Sequence, residues 1–220
     1  MDNNLIDRKL LSSITNAFRY FSVITITGPR QSGKTTLCRK LFATLPYYNL
    51  EEPSTLAMIK NDPTAFLMKH DEGMIIDEAQ RFPDIISYLQ VLVDEQQFAG
   101  EMRRKFIVTG SANFALMQHV SQSMAGRTAV LTLLPLSTQE IDLVSPETDT
   151  DMRILRGGYP AIWKIDDEGR NVLLSNYYTT YVERDLHSLI NIKDLSQFHS
   201  FIRLCAGRIG TEFVASSLAV

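Results

Sequence analysis

Five short apolar runs, rich in β-branched and aromatic side chains, punctuate the first two thirds of the chain. They are FSVITITG (21–28), YYNL (47–50), GMIIDE (73–78), RKFIVTGS (104–111) and TAVLTLLPL (128–136). Each has the composition and length of a strand. Within the runs apolar residues follow one another rather than alternating with polar ones, so both faces of these strands are expected to be buried. The stretches between them, such as PDIISYLQVLVDEQQ (83–97), repeat apolar residues every three or four positions and predict helices. Pro83 suits the first turn of that helix, where its missing N–H costs nothing. Strands alternating with helices predict an α/β fold, a parallel sheet covered on both sides.

The pattern changes near residue 145. SPETDTD (145–151) is polar and contains a proline, which marks a linker. EGRNVLLSNYYTTYVERDLHSLI (168–190) then reads as helical, with Leu174, Tyr177, Tyr178, Tyr181 and Leu189 broadly on one side as a packing stripe. The last run, EFVASSLAV, is apolar and has no terminating signal, so a further domain is expected to open there.

Composition narrows the classes. With 220 residues, 45% of them hydrophobic, the chain can form one full core and the start of a second. A net charge of −3 argues against a broadly basic nucleic-acid surface. The one tight basic cluster, Arg103-Arg104-Lys105, reads as a solvated strand entrance. Cys38 and Cys205, and the histidines at 70, 119, 187 and 199, match no metal-ligand spacing or disulfide framework. The segment MDNNLIDRKL lacks the layout of a signal peptide, and no apolar run approaches the ~18 residues of a membrane span. The expectation is a soluble cytoplasmic protein with no membrane partner.

The chemistry begins at the end of the first predicted strand. Gly28-Pro29-Arg30-Gln31-Ser32-Gly33-Lys34-Thr35, followed by Thr36, fits G-x-x-x-x-G-K-[ST] in full. Gly28 lets the chain leave the strand tightly, and Gly33 lets the backbone approach an anion. The loop N–H groups and the helix start cradle phosphate oxygens. Lys34 would reach the β- and γ-phosphates, and the Thr35 hydroxyl would ligate Mg²⁺. A second element, MIIDEAQ (74–80), supplies carboxylates at a strand end. Asp77 is placed to hold the Mg²⁺ shell, and Glu78 to deprotonate an attacking water. The chain contains no guanine-reading Asn-Lys-x-Asp, which favours ATP.

One strand, YYNL, intervenes between the loop and MIIDE, and a glutamate follows the aspartate; this resembles the additional-strand, catalytic-glutamate ATPases. GPRQSGKTTL, DEAQRFPDIISYLQVLVDE, VTGSANFALMQ, SMAGRTAVLTLLPLSTQEI, RGGYPAIW and YYTTYVERDL then occur in an order that resembles a prokaryotic AAA-type ATPase family. Its members join an AAA-like domain to a C-terminal winged-helix and nuclease-like region of unknown function. The similarity runs from about residue 5 to the end. It implies a P-loop NTPase sheet of order 5-1-4-3-2 in residues 1–145, a helical lid in 146–192, and in 193–220 the beginning of the C-terminal domain.

The resemblance also implies roles for single residues. Ser111, with Asn113 as the alternative, would sense the γ-phosphate after the fourth strand; either residue could equally cap a helix. Arg127 would be an arginine finger acting on a neighbour's nucleotide, and so implies a homo-oligomer; a surface salt bridge is its other reading. Pro160 of GGYP would touch adenine from the lid, or form a plain turn. Arg8 falls near the adenine pocket, while Arg30 and Gln80 match the family pattern with no chemical step attached. The implied function is Mg²⁺-dependent ATP hydrolysis coupled to conformational change. A slowly turning nucleotide-gated switch, a small-molecule kinase and an ATPase acting on DNA are the alternatives. The kinase reading needs an arginine-rich lid, and no arginine cluster occurs between 112 and 135.

Overall fold

A computed structural model describes residues 6–100, 104–111, 114–146, 148–182, 195–212 and 214. Packing divides the chain into two compact units, residues 1–165 and 166–220.

The first unit is built on five parallel strands: β1 (Val23–Thr27), β2 (Tyr47–Asn49), β3 (Gly73–Asp77), β4 (Lys105–Thr109) and β5 (Thr128–Thr132). Their order is 2-3-4-1-5, the expected 5-1-4-3-2 read from the other edge. All five lie inside the apolar runs picked out above. The helices are α1 (Leu10–Ala17), α2 (Lys34–Leu41), α3 (Pro53–Asn61), α4 (Pro63–Met68), α5 (Ile85–Phe98), α6 (Phe114–Ser123), α7 (Thr138–Asp142) and α8 (Thr150–Arg156). Pro83 sits just outside α5, before the N-cap Asp84, and its carbonyl accepts the Ile86 N–H. The turn thus begins where expected and becomes helical two residues later.

Strand parity sorts the core into two layers. Met74, Ile76, Phe106 and Val108 face one side, packed with Ile85, Ile86, Leu89 and Val93 of α5. Ile75, Ile107, Ile24 and Ile26 face the other, packed with Ile14 of α1 and with Leu37 and Cys38 of α2. Burial of each such side chain contributes roughly 1.5–3 kcal/mol. β1 and β3 are accordingly buried at every position, whereas β5 at the edge is only half-buried. The basic strand entrance is absorbed locally. Arg104 pairs with Asp71 at 2.9 Å, and the Lys105 ammonium donates to the carbonyls of Phe18 and Phe21. Arg103 lies outside the described residues.

Residues 148–165 pack with the first unit and hold α8 and a 3₁₀ turn, Pro160–Lys164. A 2.6 Å bond from the Leu136 N–H to the Gly158 carbonyl ties that turn to the exit of β5.

The second unit contains α9 (Asp167–Tyr177), capped by the Asp166 carboxylate on the Gly169 N–H, and α10 (Leu195–Ala206). Within the helix expected over 168–190, the described residues are α-helical through Tyr177 and continue as a π-turn (Tyr178–Val182). The Thr179 and Thr180 hydroxyls donate back to the Ser175 and Asn176 carbonyls, competing with the backbone ladder. Tyr178 of the predicted stripe packs on His199, their rings 5.2 Å apart. Leu189, the Tyr181 side chain and residues 183–194 lie outside the described set. Among the described residues no helix is long and apolar enough to cross a membrane.

Candidate active site

Parallel strands end together, so the loops after β1, β3, β4 and β5 gather along one edge of the sheet. The first of these is the phosphate loop. Gly28 leaves β1 at φ +145°, and a side chain there would strike the Leu133 carbonyl at 2.2 Å; only glycine fits between the β1 and β5 exits. Gln31 and Gly33 also hold left-handed backbone, at φ +60° and +96°. Such reversals turn successive N–H groups toward one concavity, which α2 then extends from its first residue, Lys34. The Lys34 ammonium, largely buried, donates to the Gly28 and Pro29 carbonyls at 3.0 and 2.9 Å. Burial lowers its pKa below the ordinary lysine value; Glu78 and Asp77 oppose that shift, and Arg30 adds to it. Both acidic residues and Arg30 therefore lie within electrostatic reach of the ammonium. The Ser32 hydroxyl is buried and has no hydrogen-bond partner among the described residues. Thr36 is exposed on the first turn of α2.

The second group follows from parity. Ile75 and Ile107 are paired across β3 and β4, so Asp77 and Thr109, each two residues on, share the face covered by α2. Tyr47 is opposite Ile75 on β2 and lies on that face too. All three converge with α2. Asp77 Oδ2 accepts from the Thr35 hydroxyl at 2.7 Å and from the Tyr47 hydroxyl at 2.7 Å. Asp77 Oδ1 accepts from the Thr109 hydroxyl and from the Glu78 N–H. Burial pushes the Tyr47 phenol up, and its bond to Asp77 pushes it further, so it remains a donor at neutral pH. Burial likewise pushes the Cys38 thiol up to about 12, which leaves it protonated and without a nucleophilic role.

Glu78 stands at φ +58°, an uncommon conformation for a side chain of its size and a frequent mark of a functional position. Its Oε2 is held by the Gln80 side-chain amide. The other end of that amide is buried without a partner and abuts Gly110, where a side chain would meet it at 2.6 Å. Gly110 thus makes room for Gln80, and Gln80 links the carboxylate to the exit of β4.

These groups fit a metal–nucleotide complex. Among the described residues no cluster of three or more metal-ligating side chains exists, so an all-protein cage is absent from that part of the molecule. Magnesium usually needs only one or two protein oxygens besides phosphates and water. The Thr35 hydroxyl and Asp77 carboxylate, already in contact, are oxygens of the right kind. The unpartnered Ser32 hydroxyl and the loop amides are donors suited to an anion.

The remaining predicted residues distribute unevenly. Pro160 comes to the loop: its Cγ lies 3.9 Å from the point a Gly33 Cβ would occupy. Ser111 lies two residues past the end of β4, and Thr109 is the β4 hydroxyl that reaches Asp77. Asn113 falls outside the described residues. Arg127 precedes β5, at the opposite edge of the sheet from the phosphate loop of its own chain. It forks Asp94 of α5, with Nε–Oδ1 at 2.5 Å and Nη2–Oδ2 at 3.0 Å. Thr109 and Tyr47 went unnoticed in the sequence, though counting in twos from Ile107 and Ile75 would have flagged the first.

Comparison with known proteins agrees with this fold. A family model described as an AAA domain matches residues 20–142, and a domain of unknown function matches 147–220. Uncharacterized proteins of Mycobacterium bovis and Mycobacterium tuberculosis are each 33% identical over 189 residues, which is 84% of this chain. The chain spans 41% of the length of those relatives. A Walker-type ATPase of Pyrococcus abyssi superposes with a TM-score of 0.56 at 14% identity, covering 96% of this chain and 86% of the other. A signal transduction ATPase with numerous domains from Pyrococcus horikoshii gives 0.54 at 19% identity, covering 91% and 34%. The structural likenesses establish the fold. With the AAA model spanning more than half of its residues, the chain belongs to the AAA domain family.

Proposed function

We propose that this domain binds ATP with Mg²⁺ and hydrolyses it, and that the cycle moves the segment around Pro160 relative to the phosphate loop. The observation that carries the reading is the Thr35–Asp77 contact at 2.7 Å beside a lysine within electrostatic reach of both Asp77 and Glu78. Phosphate loop, metal-oxygen pair and candidate base thus occupy one edge.

In this reading Gly28 to Thr36 hold the polyphosphate, with Pro29, Arg30, Gln31, Ser32 and Gly33 shaping the loop. Lys34 exchanges its two carbonyl partners for β- and γ-phosphate oxygens. Thr35 and Asp77 hold Mg²⁺, which when bound would neutralise charge on the transferred phosphoryl group. Glu78 takes the proton of the attacking water on Oε1, Oε2 being steadied by Gln80. Thr109, through Asp77, and Ser111 beyond it are the groups placed to register a γ-phosphate. Pro160 lies against adenine. Arg127 acts on the nucleotide of a second copy, exchanging Asp94 for a phosphoryl oxygen.

Glu78→Gln tests the core of this. Preloaded with ATP and started with Mg²⁺, the wild type should form ADP about 10²–10⁴ times faster than the variant, with ATP affinity unchanged. Equal lifetimes of bound ATP in the two proteins would remove Glu78 as the base and leave a nucleotide-gated switch.

A further inference from the structure

Arg8 lies just before α1, only 8% exposed, and each of its nitrogens donates to a different part of the first unit. Nε meets Glu140 Oε1 at 3.0 Å, Nη1 meets the Ser32 carbonyl at 2.7 Å, and Nη2 meets the Leu134 carbonyl at 2.5 Å. Glu140 is itself fixed, because its carboxylate also accepts the N–H groups of Lys9 and Ser137, each at 2.8 Å. The guanidinium is therefore anchored on α7 and the β5 exit, and it presses one N–H onto the phosphate loop. Its Nη1 lies 3.5 Å from the point where a Gly33 Cβ would be.

A trans peptide is planar, so a carbonyl and the N–H that follows it point to opposite sides. Holding the Ser32 carbonyl against Arg8 turns the Gly33 N–H away from Arg8. We propose that Arg8 is a positioning residue of the phosphate site: by fixing the Ser32–Gly33 peptide it aims the Gly33 N–H into the loop, as a preset donor to a polyphosphate oxygen. Without that anchor the peptide is free to rotate, and the loop must reorder itself on binding. The inference deepens the nucleotide reading and rests on it for the presence of phosphate in the loop.

The probes are ADP, pyrophosphate and adenosine, titrated into the full chain. Arg8→Met leaves the buried Glu140 carboxylate without its counter-charge, so Arg8→Met is combined with Glu140→Gln. This double variant should bind ADP and pyrophosphate about tenfold to a hundredfold more weakly, the weight of one hydrogen bond to a charged group. Its affinity for adenosine, which carries no phosphate oxygen to meet the Gly33 N–H, should stay within about twofold of wild type. Glu140→Gln alone keeps Arg8 with its bonds to the Ser32 and Leu134 carbonyls and should lose clearly less ADP affinity than the double variant. A folded double variant that holds ADP as tightly as wild type, or loses adenosine by the same factor, overturns the proposal. If the double variant does not fold, ¹⁵N-labelled wild type decides: pyrophosphate must shift the Gly33 amide proton downfield, and an unmoved Gly33 resonance overturns the proposal. A wild type that binds neither ADP nor pyrophosphate would instead overturn the nucleotide reading itself.

Discussion

The two edges of the sheet hold similar charged groups and use them differently. At the amino edge Arg127 forks Asp94, Arg104 meets Asp71, and Lys105 fills two loop carbonyls. The two ion pairs there are solvent-accessible, and besides its carboxylate each arginine reaches only a nearby carbonyl, Ala125 for Arg127 and His70 for Arg104. At the carboxyl edge Arg8, Lys34, Asp77 and Glu140 are largely buried and each makes more than one hydrogen bond, Lys34 to two carbonyls of its own loop and the other three to separate segments. Exposed pairs are screened and contribute little to stability, whereas a buried charge that loses its partner is strongly penalised. The contrast shows which arginines the fold depends on: Arg8 is built into it, and Arg127 remains accessible for exchange with another group.

Substitutions should reproduce that contrast, beginning with the base variant described above. Lys34→Met, which removes the ammonium proposed above to bind phosphate, should weaken ATP binding by about 10²–10⁴-fold in calorimetry, the equivalent of two charged hydrogen bonds. Retained affinity would move the phosphate site elsewhere.

Next come the groups around Asp77. Thr109→Val or Tyr47→Phe removes one donor that orients this carboxylate, and should raise the Mg²⁺ concentration needed for metal-dependent ADP binding about 10–100-fold. ADP binding in excess chelator should not change. The combined variant should lose less than the product of the two effects, because both act through one carboxylate.

Acid should also separate the edges. Burial raises the pKa of Glu140, but the N–H groups of Ser137 and Lys9 together with Arg8 outweigh it, and the net shift is downward. A carboxyl whose folded pKa lies below its unfolded one contributes stability above the unfolded value, about 4.3, and that contribution is lost as pH falls through the folded value. Urea midpoints of wild type should therefore fall below pH ~4 more steeply than those of Glu140→Gln.

The smallest effect belongs to the amino edge. Asp94→Ala should leave the thermal midpoint within measurement error, because the pair it breaks is exposed. Arg127→Ala should be equally silent in stability, yet should slow turnover in a protein-concentration-dependent way if the finger assignment holds. A large loss of stability from either would make Arg127 a structural residue.

The phosphate loop and the Asp77–Glu78 couple were legible in the sequence because each is contiguous. A motif of neighbouring residues specifies local backbone, and the strand before it and helix after it follow from apolar spacing. Thr109 was overlooked in favour of Ser111, which has the same parity but sits one pleat further on. Choosing between them requires knowing where β4 stops beside β3. Tyr47 was hidden for a related reason: its reach to Asp77 depends on Tyr47 being opposite Ile75 in the pairing of β2 with β3. The predicted tyrosine helix changes from α to π after Tyr177, where threonine hydroxyls compete for the backbone.

By itself the amino-acid order determined the layered α/β architecture, the phosphate loop and the acidic strand end. Each rests on residues a few positions apart, whose spacing dictates backbone conformation directly. Only the tertiary structure decided that Arg8 reaches the loop, that Asp77 is held by hydroxyls from three elements, and that Arg127 rests on Asp94. Those contacts join segments distant along the chain, and their geometry is set by strand register and by the packing of helices on the sheet.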